Sequence, residues 1–201
     1  YLLLGNRKIP KALMVKDRQA YSDYKKYALQ NIEILSDLHE DDYVLDKMTS
    51  MAWTNGYFPV YNNCLLTYFP SGEEQYQAFI QELIKAEDFI FMEFFIINKG
   101  VMWNTILQIL MDKAAMGVDV RVIYDDMGCL TYLPRDYAKC LNACGIQTHA
   151  FNPLRPQLAM AMNTRDHRKI PVIDGKAAFT AGCNISDEYI NTQKRFGHWK
   201  D

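Results

Sequence analysis

Apolar positions recur at steps of three and four along two marked stretches, and such steps predict helices. In residues 71–85 they are Tyr76, Phe79, Ile80, Leu83 and Ile84. Ser71 precedes this run as a cap, Glu73 and Glu74 suit the positive end of a helix, and Lys85 suits its close. In residues 100–116, Trp103, Ile106, Leu107, Leu110 and Met111 form the inward stripe, with Gly117 just past the end. A third helix is predicted over 133–144, closed by Gly145. Shorter apolar runs lie between, at 64–69, 88–97, 118–124 and 146–151, and predict strands. The run from Asp88 to Ile97 is almost entirely apolar, as expected for a strand covered on both faces. Strands alternating with helices predict right-handed βαβ units and a mostly parallel sheet, so the fold class is α/β.

The first part of the chain has a different pattern. Residues 12–38 are charged and place Tyr21, Tyr24, Tyr27, Ala28, Ile32 and Leu35 at helical steps. This predicts a linker helix whose tyrosine stripe packs on the α/β domain or lies at a membrane interface. Residues 39–63 carry loop punctuation: Asp41-Asp42, Asn55-Gly56, Pro59 and Asn62-Asn63. The predicted organisation is a membrane-proximal linker and helix over 1–50 and an α/β domain over 51–201.

The polar positions inside the apolar runs point to chemistry. Residues 163–191 read as two strands around a tight turn. Pro171–Asp174 ends one strand, Asp174-Gly175 is a two-residue signal for a type I′ hairpin, and residues 176–180 are the return strand. His167 and Lys169 share a face if the chain there is extended, with Arg168 on the other side. Asn184 lies beyond the return strand, where the chain comes back past the start of the hairpin. An imidazole, an ammonium and a side-chain amide then converge. An imidazole can attack phosphorus or move a proton near neutral pH. The other two can stabilise charge on equatorial phosphoryl oxygens. That chemistry requires no metal or other cofactor. Glu93, mid-strand among aromatics, calls for a cationic partner near the site, with Lys169 a candidate, or else faces water. Asp125-Asp126 ends a strand, where it either serves a site or forms a turn and caps a helix.

His167, Lys169 and Asp174 form a His-x-Lys-x4-Asp pattern that resembles the signature of the phospholipase D superfamily. The family's following Gly-Ser-x-Asn slot reads Ala181-Gly182-Cys183-Asn184, with the Asn in place and the first two residues changed. The wider block, from Arg165 to Asn191, looks like bacterial cardiolipin synthases in particular. The resemblance covers roughly residues 55–201 and implies a three-layer α/β/α half-domain with a mixed sheet. It implies a phosphatidyltransferase: two phosphatidylglycerol molecules give cardiolipin and release glycerol through a phosphohistidine. His167 is then nucleophile or acid/base, Lys169 and Asn184 bind phosphate, and Glu93 stands near the substrate. Asp174 belongs to the catalytic signature, yet its place at the hairpin turn gives it a structural role. The carboxylate that orients His167 is Asp201 or Glu188. The reaction needs two such histidines, and His39, His149 and His198 have no Lys two residues on. The partner half is the remainder of a longer protein or a second copy of the chain. The alternative is a phosphodiesterase, phospholipase or nuclease of the same superfamily acting as a homodimer.

Composition narrows these readings. With 201 residues, 49% of them hydrophobic, the chain can bury one sizeable core. A formal net charge of −2 lacks the basic excess of a general nucleic-acid binder, so no nucleic-acid partner is expected. Five cysteines, 64, 129, 140, 144 and 183, include no CxxC pair. Cys140, Cys144 and His149 could form half a metal site, but small buried hydrophobes in a reducing compartment are the simpler reading. No run of about 18 apolar residues spans a bilayer. Tyr1–Gly5 followed by Arg7, Lys8 and Lys11 looks like the tail of a membrane helix with its basic cytoplasmic flank. The expected setting is therefore the cytoplasmic face of the cell membrane, with this chain itself a soluble fragment.

Overall fold

The computed structural model describes residues 19, 20, 22–154, 165–195 and 197–200. The basic flank Arg7 to Lys11, Tyr21, Asn163 and Asp201 lie outside the described residues. The chain divides into two compact units between Thr67 and Tyr68.

Among the described residues the first unit includes the helices α1 (Ile32–Asp41) and α2 (Tyr43–Gly56). Asn31 caps α1 by accepting from the Glu33 N–H, and Asp42 caps α2 by accepting from Val44 and Leu45 at 2.8 and 3.0 Å. The predicted loop over 39–63 is therefore corrected: Asp42 starts a helix and Gly56 ends one. Tyr57, at φ 53, reverses the chain in the left-handed conformation. The predicted strand at 64–69 is also corrected. It takes no ladder partner, and Leu65 and Leu66 are almost fully exposed. An apolar run is not a strand without a neighbouring edge to bond.

The second unit begins with α3 (Gly72–Lys85), and Ser71 caps it by accepting from the Glu74 N–H, as its sequence predicts. There follow β1 (Phe89–Phe94), α4 (Val101–Ala115), β2 (Asp119–Asp125), α5 (Tyr137–Ala143), β3 (Gln147–Phe151), β4 (Lys169–Ile173) and β5 (Ala177–Ala178). The sheet order is β3-β2-β1-β4-β5. β1, β2 and β3 run parallel, and β4 and β5 are antiparallel additions. The class is α/β with a mixed sheet. Helix α5 starts four residues later than predicted.

Alternation decides which side chains meet the helices. Ile90, Met92 and Phe94 of β1 are buried, as are Val120, Val122 and Tyr124 of β2 and Lys169, Pro171 and Ile173 of β4. All but Lys169 and Pro171 join one core with Leu83 of α3, Trp103, Ile106 and Leu110 of α4, and Leu141 of α5. Each such large side chain contributes about 1.5–3 kcal/mol by leaving water. Trp103 Nε1 donates to the Tyr137 hydroxyl at 2.6 Å, which satisfies the polar edge of the largest ring in this core. The other side of β1 is not covered as predicted: among the described residues, Phe89, Phe91 and Glu93 are half-buried and Ile123 beside them is exposed.

Candidate active site

The site forms where β1 ends and β4 begins. Antiparallel pairing sets Phe94 opposite Lys169 and Glu93 opposite Ile170. Lys169 therefore points into the helix-covered face, where it is 5% exposed, and burial lowers its pKa. Its Nζ donates to the His167 carbonyl at 2.7 Å and lies 5.4 Å from the centre of the Phe95 ring. The His167 imidazole is exposed and packs on the same ring, 4.8 Å between centroids. Phe95 is thus a platform shared by the two candidate residues. Only the β1–β4 register reveals it, and the sequence does not state that register.

Asn184 arrives from the other side. Beyond β1, Ile97 and Ile185 form a parallel bridge, with Asn98 N bonded to Ile185 O and Ile185 N to Ile96 O. The buried Asn184 side chain then accepts from Ile96 N at 3.0 Å and donates from Nδ2 to the Tyr189 hydroxyl at 3.0 Å. These two bonds fix which way the amide faces and leave a second Nδ2–H. Lys169 and Asn184 line one cleft with Gln75, Tyr76, Thr180 and Cys183, with a cavity of about 30 Å³.

Neighbouring acids hold the frame. The Asp187 carboxylate accepts from Val101 N at 2.9 Å and Met102 N at 2.8 Å, which caps α4 from across the chain. Gly100 lets it in, since a Cβ there would run into that carboxylate. Asp125, fully buried, accepts from Gly128 N and Asp166 N, both at 2.9 Å, so it fixes a turn and the approach to β4. Asp126 accepts from Leu154 N at 2.7 Å.

Three expectations change in this geometry. Asp174 lies past the far end of β4, about 16 Å of strand from Lys169. Its carboxylate accepts from Glu87, Asp88 and Phe89 N–H groups at 2.8–2.9 Å. Burial would raise its pKa, but those three donors outweigh it and lower the value. It is a brace between hairpin and β1, outside reach of the imidazole. Glu93 does not pair with Lys169, because it lies on the opposite face of the sheet from the cleft. It meets Arg168 Nε at 3.2 Å. Glu188 sits against Arg195 at 3.9 Å, and among the described residues no carboxylate touches His167.

Residues 79–194, more than half of the chain, match the family described as cardiolipin synthase, PLD-like domain. The chain belongs to this family. The matched span contains Glu93, His167, Lys169, Asp174 and Asn184. An uncharacterized protein of Streptococcus mutans is 45% identical over 191 residues, which is 95% of this chain and 41% of that protein. A cardiolipin synthase of Geobacillus kaustophilus is 38% identical over 75% of this chain and 30% of its own length. A cardiolipin synthase of Staphylococcus aureus is 32% identical over all of this chain and 42% of its own. The chain thus spans less than half the length of these relatives. Within this PLD-like domain, an exposed imidazole stands beside an ammonium that burial has stripped of much of its water. That pairing suits an anionic group with a transferable phosphorus. Among the described residues no helix is long and apolar enough to cross a membrane.

Proposed function

We propose that this chain is one catalytic half of a phosphatidyltransferase that makes cardiolipin from two phosphatidylglycerol molecules. His167 attacks phosphorus of the first lipid, an N–P bond forms, and the P–O bond to glycerol breaks. A second histidine protonates the departing glycerol. That histidine comes from the remainder of a longer protein or from a second copy of the chain. The glycerol hydroxyl of the second lipid then gives its proton to the second histidine and attacks the phosphohistidine, which releases His167. Lys169 and the free Nδ2–H of Asn184 bind the phosphoryl oxygens as charge develops on them. His167 works at the membrane surface, where lipid head groups are presented to an exposed ring. The observation that carries this reading is buried Lys169, which lines one cleft with Asn184 and shares the Phe95 ring with the exposed His167 imidazole.

The test is on the full-length protein in phosphatidylglycerol vesicles, following cardiolipin and glycerol for wild type and His167→Ala. The ring is exposed, so the substitution leaves the fold intact. Wild type should form both products, and the variant should lose at least about 10³-fold in rate. Phosphatidic acid in place of cardiolipin would make water the acceptor and the protein a hydrolase. Equal rates in both proteins would remove His167 from the chemistry.

A further inference from the structure

The face of the sheet opposite the cleft holds a charged cluster that the proposed chemistry does not use. Glu93 projects from it, beside Ile123 of β2 and opposite Ile170 of β4. Arg168, the residue before β4, reaches over it. Its Nε lies 3.2 Å from Glu93 Oε1 and 3.1 Å from Asp166 Oδ1. The Asp166 side chain is 2% exposed, and its Oδ2 receives no hydrogen bond among the described residues. Glu93 Oε1 and Asp166 Oδ1 thus approach the same Arg168 nitrogen. Other charged groups facing this region are engaged elsewhere or separated by a strand. Arg121 of β2 is held by Asp119 at 2.6 Å, Arg165 reaches Asp125 at 3.4 Å, and His149 of β3 lies across Ile123.

Two carboxylates thus face one guanidinium, and one of the two is almost completely buried. A single proton held between them removes the repulsion and gives Asp166 a donor. Asp166 and Arg168 also flank His167 in the chain. Asp166 is anchored through its N–H to Asp125, and Arg168 is anchored through its side chain to Asp166 and Glu93. We propose that Glu93 is a positioning residue: it shares one proton with Asp166, and with Arg168 this pair sets how residues 166–168 present the His167 ring on Phe95. Burial first, and then Asp166, push the Glu93 carboxyl up to about 7. Asp166 moves the other way: burial would raise it, but Glu93 and Arg168 bring it below the usual range. Once Glu93 ionises, Asp166 is repelled and the ring loses its seat. The inference rests on the proposed function only in taking His167 as the reacting group.

Glu93→Gln keeps a neutral donor to Asp166 and cannot ionise. In the 201-residue chain, the thermal midpoint of wild type and E93Q is followed from pH 4.5 to 8. A carboxyl raised in the folded state contributes stability at low pH that is lost as pH rises through its folded value. Wild type should therefore lose stability relative to E93Q up to about pH 7, and parallel curves would overturn the shared proton. In the same chain, the Phe95 ring proton signals should show an extra step near pH 7 that E93Q lacks. A single common titration in both proteins would overturn the positioning role. In the full-length protein, kcat/KM between pH 7 and 8.5 should fall about five-fold further for wild type than for E93Q. Superimposed profiles would overturn it as well. If wild type has no transferase activity, the proposed function fails, and the midpoint and Phe95 measurements still decide this inference.

Discussion

The first residue of β4 is an ammonium with one hydrogen bond among the described residues; one position past its last stands a carboxylate that accepts three. Lys169 and Asp174 belong to one short motif, and the strand between them is five residues long. At the Lys169 end the polar groups converge on open space. At the Asp174 end they are consumed by backbone donors of the neighbouring strand. A motif fixes which residues recur together, but burial and partners separate those that react from those that hold the strand in place.

The comparison breaks most sharply at Lys169. Lys169→Met keeps the length of the side chain and removes a buried charge that forms no ion pair among the described residues. Transfer activity should fall about 10²–10³-fold, as for loss of a donor to developing charge. Stability should hold or rise slightly, because the desolvation penalty disappears. Rates and thermal midpoints measured side by side check both halves. A large fall in midpoint would make Lys169 a structural residue like its counterpart.

Asp174→Ala should give the opposite outcome. Three N–H groups lose an acceptor, though water can reach those of the exposed Glu87 and Asp88. The expected loss is about 2 kcal/mol, below a full count of three charge-assisted bonds. Activity per folded molecule should change little. Asp174 has a lowered pKa, so its contribution is present above the ordinary aspartate range and lost as pH falls through the folded value. The stability gap between wild type and variant should therefore close in acid, as denaturant unfolding at several pH values would show.

The same contrast explains what could be read from residues alone. The Ser71 cap and the Asp174-Gly175 turn are local, and the chain obeys them. The helix at Tyr43–Gly56 was hidden by its own ends, because Asp42 as a cap looks the same as Asp42 in a loop. The run at 64–69 has strand-like residues but no edge to join, and an edge is a tertiary fact. Glu93 has the same origin of error. Its partner depends on pairing Glu93 with Ile170 rather than Lys169, and one step of register exchanges the two faces of a strand. The family motif located His167, Lys169 and Asn184, whereas Phe95, Asp166 and Tyr189 became visible only once β1 and β4 were side by side.

The smallest expected effect isolates the turn itself. Asp174 and Gly175 have φ of 52° and 64°, the left-handed pair that a type I′ turn requires. A Cβ on Gly175 would meet only the Phe89 ring, at 3.9 Å, an ordinary contact. Gly175→Ala therefore tests backbone preference without steric collision, and it should cost about 1 kcal/mol. Gly175→Asn should cost less, since Asn tolerates this conformation through local hydrogen bonds. Unfolding midpoints ranked wild type, Asn, Ala would show that this end of β4 acts through the backbone. Neither substitution should alter transfer per folded molecule, because the turn and the imidazole are linked only through a strand whose register Asp174 already holds. If Gly175→Ala instead lowered activity at unchanged stability, the two ends of β4 would be coupled and the division of labour between them would not stand.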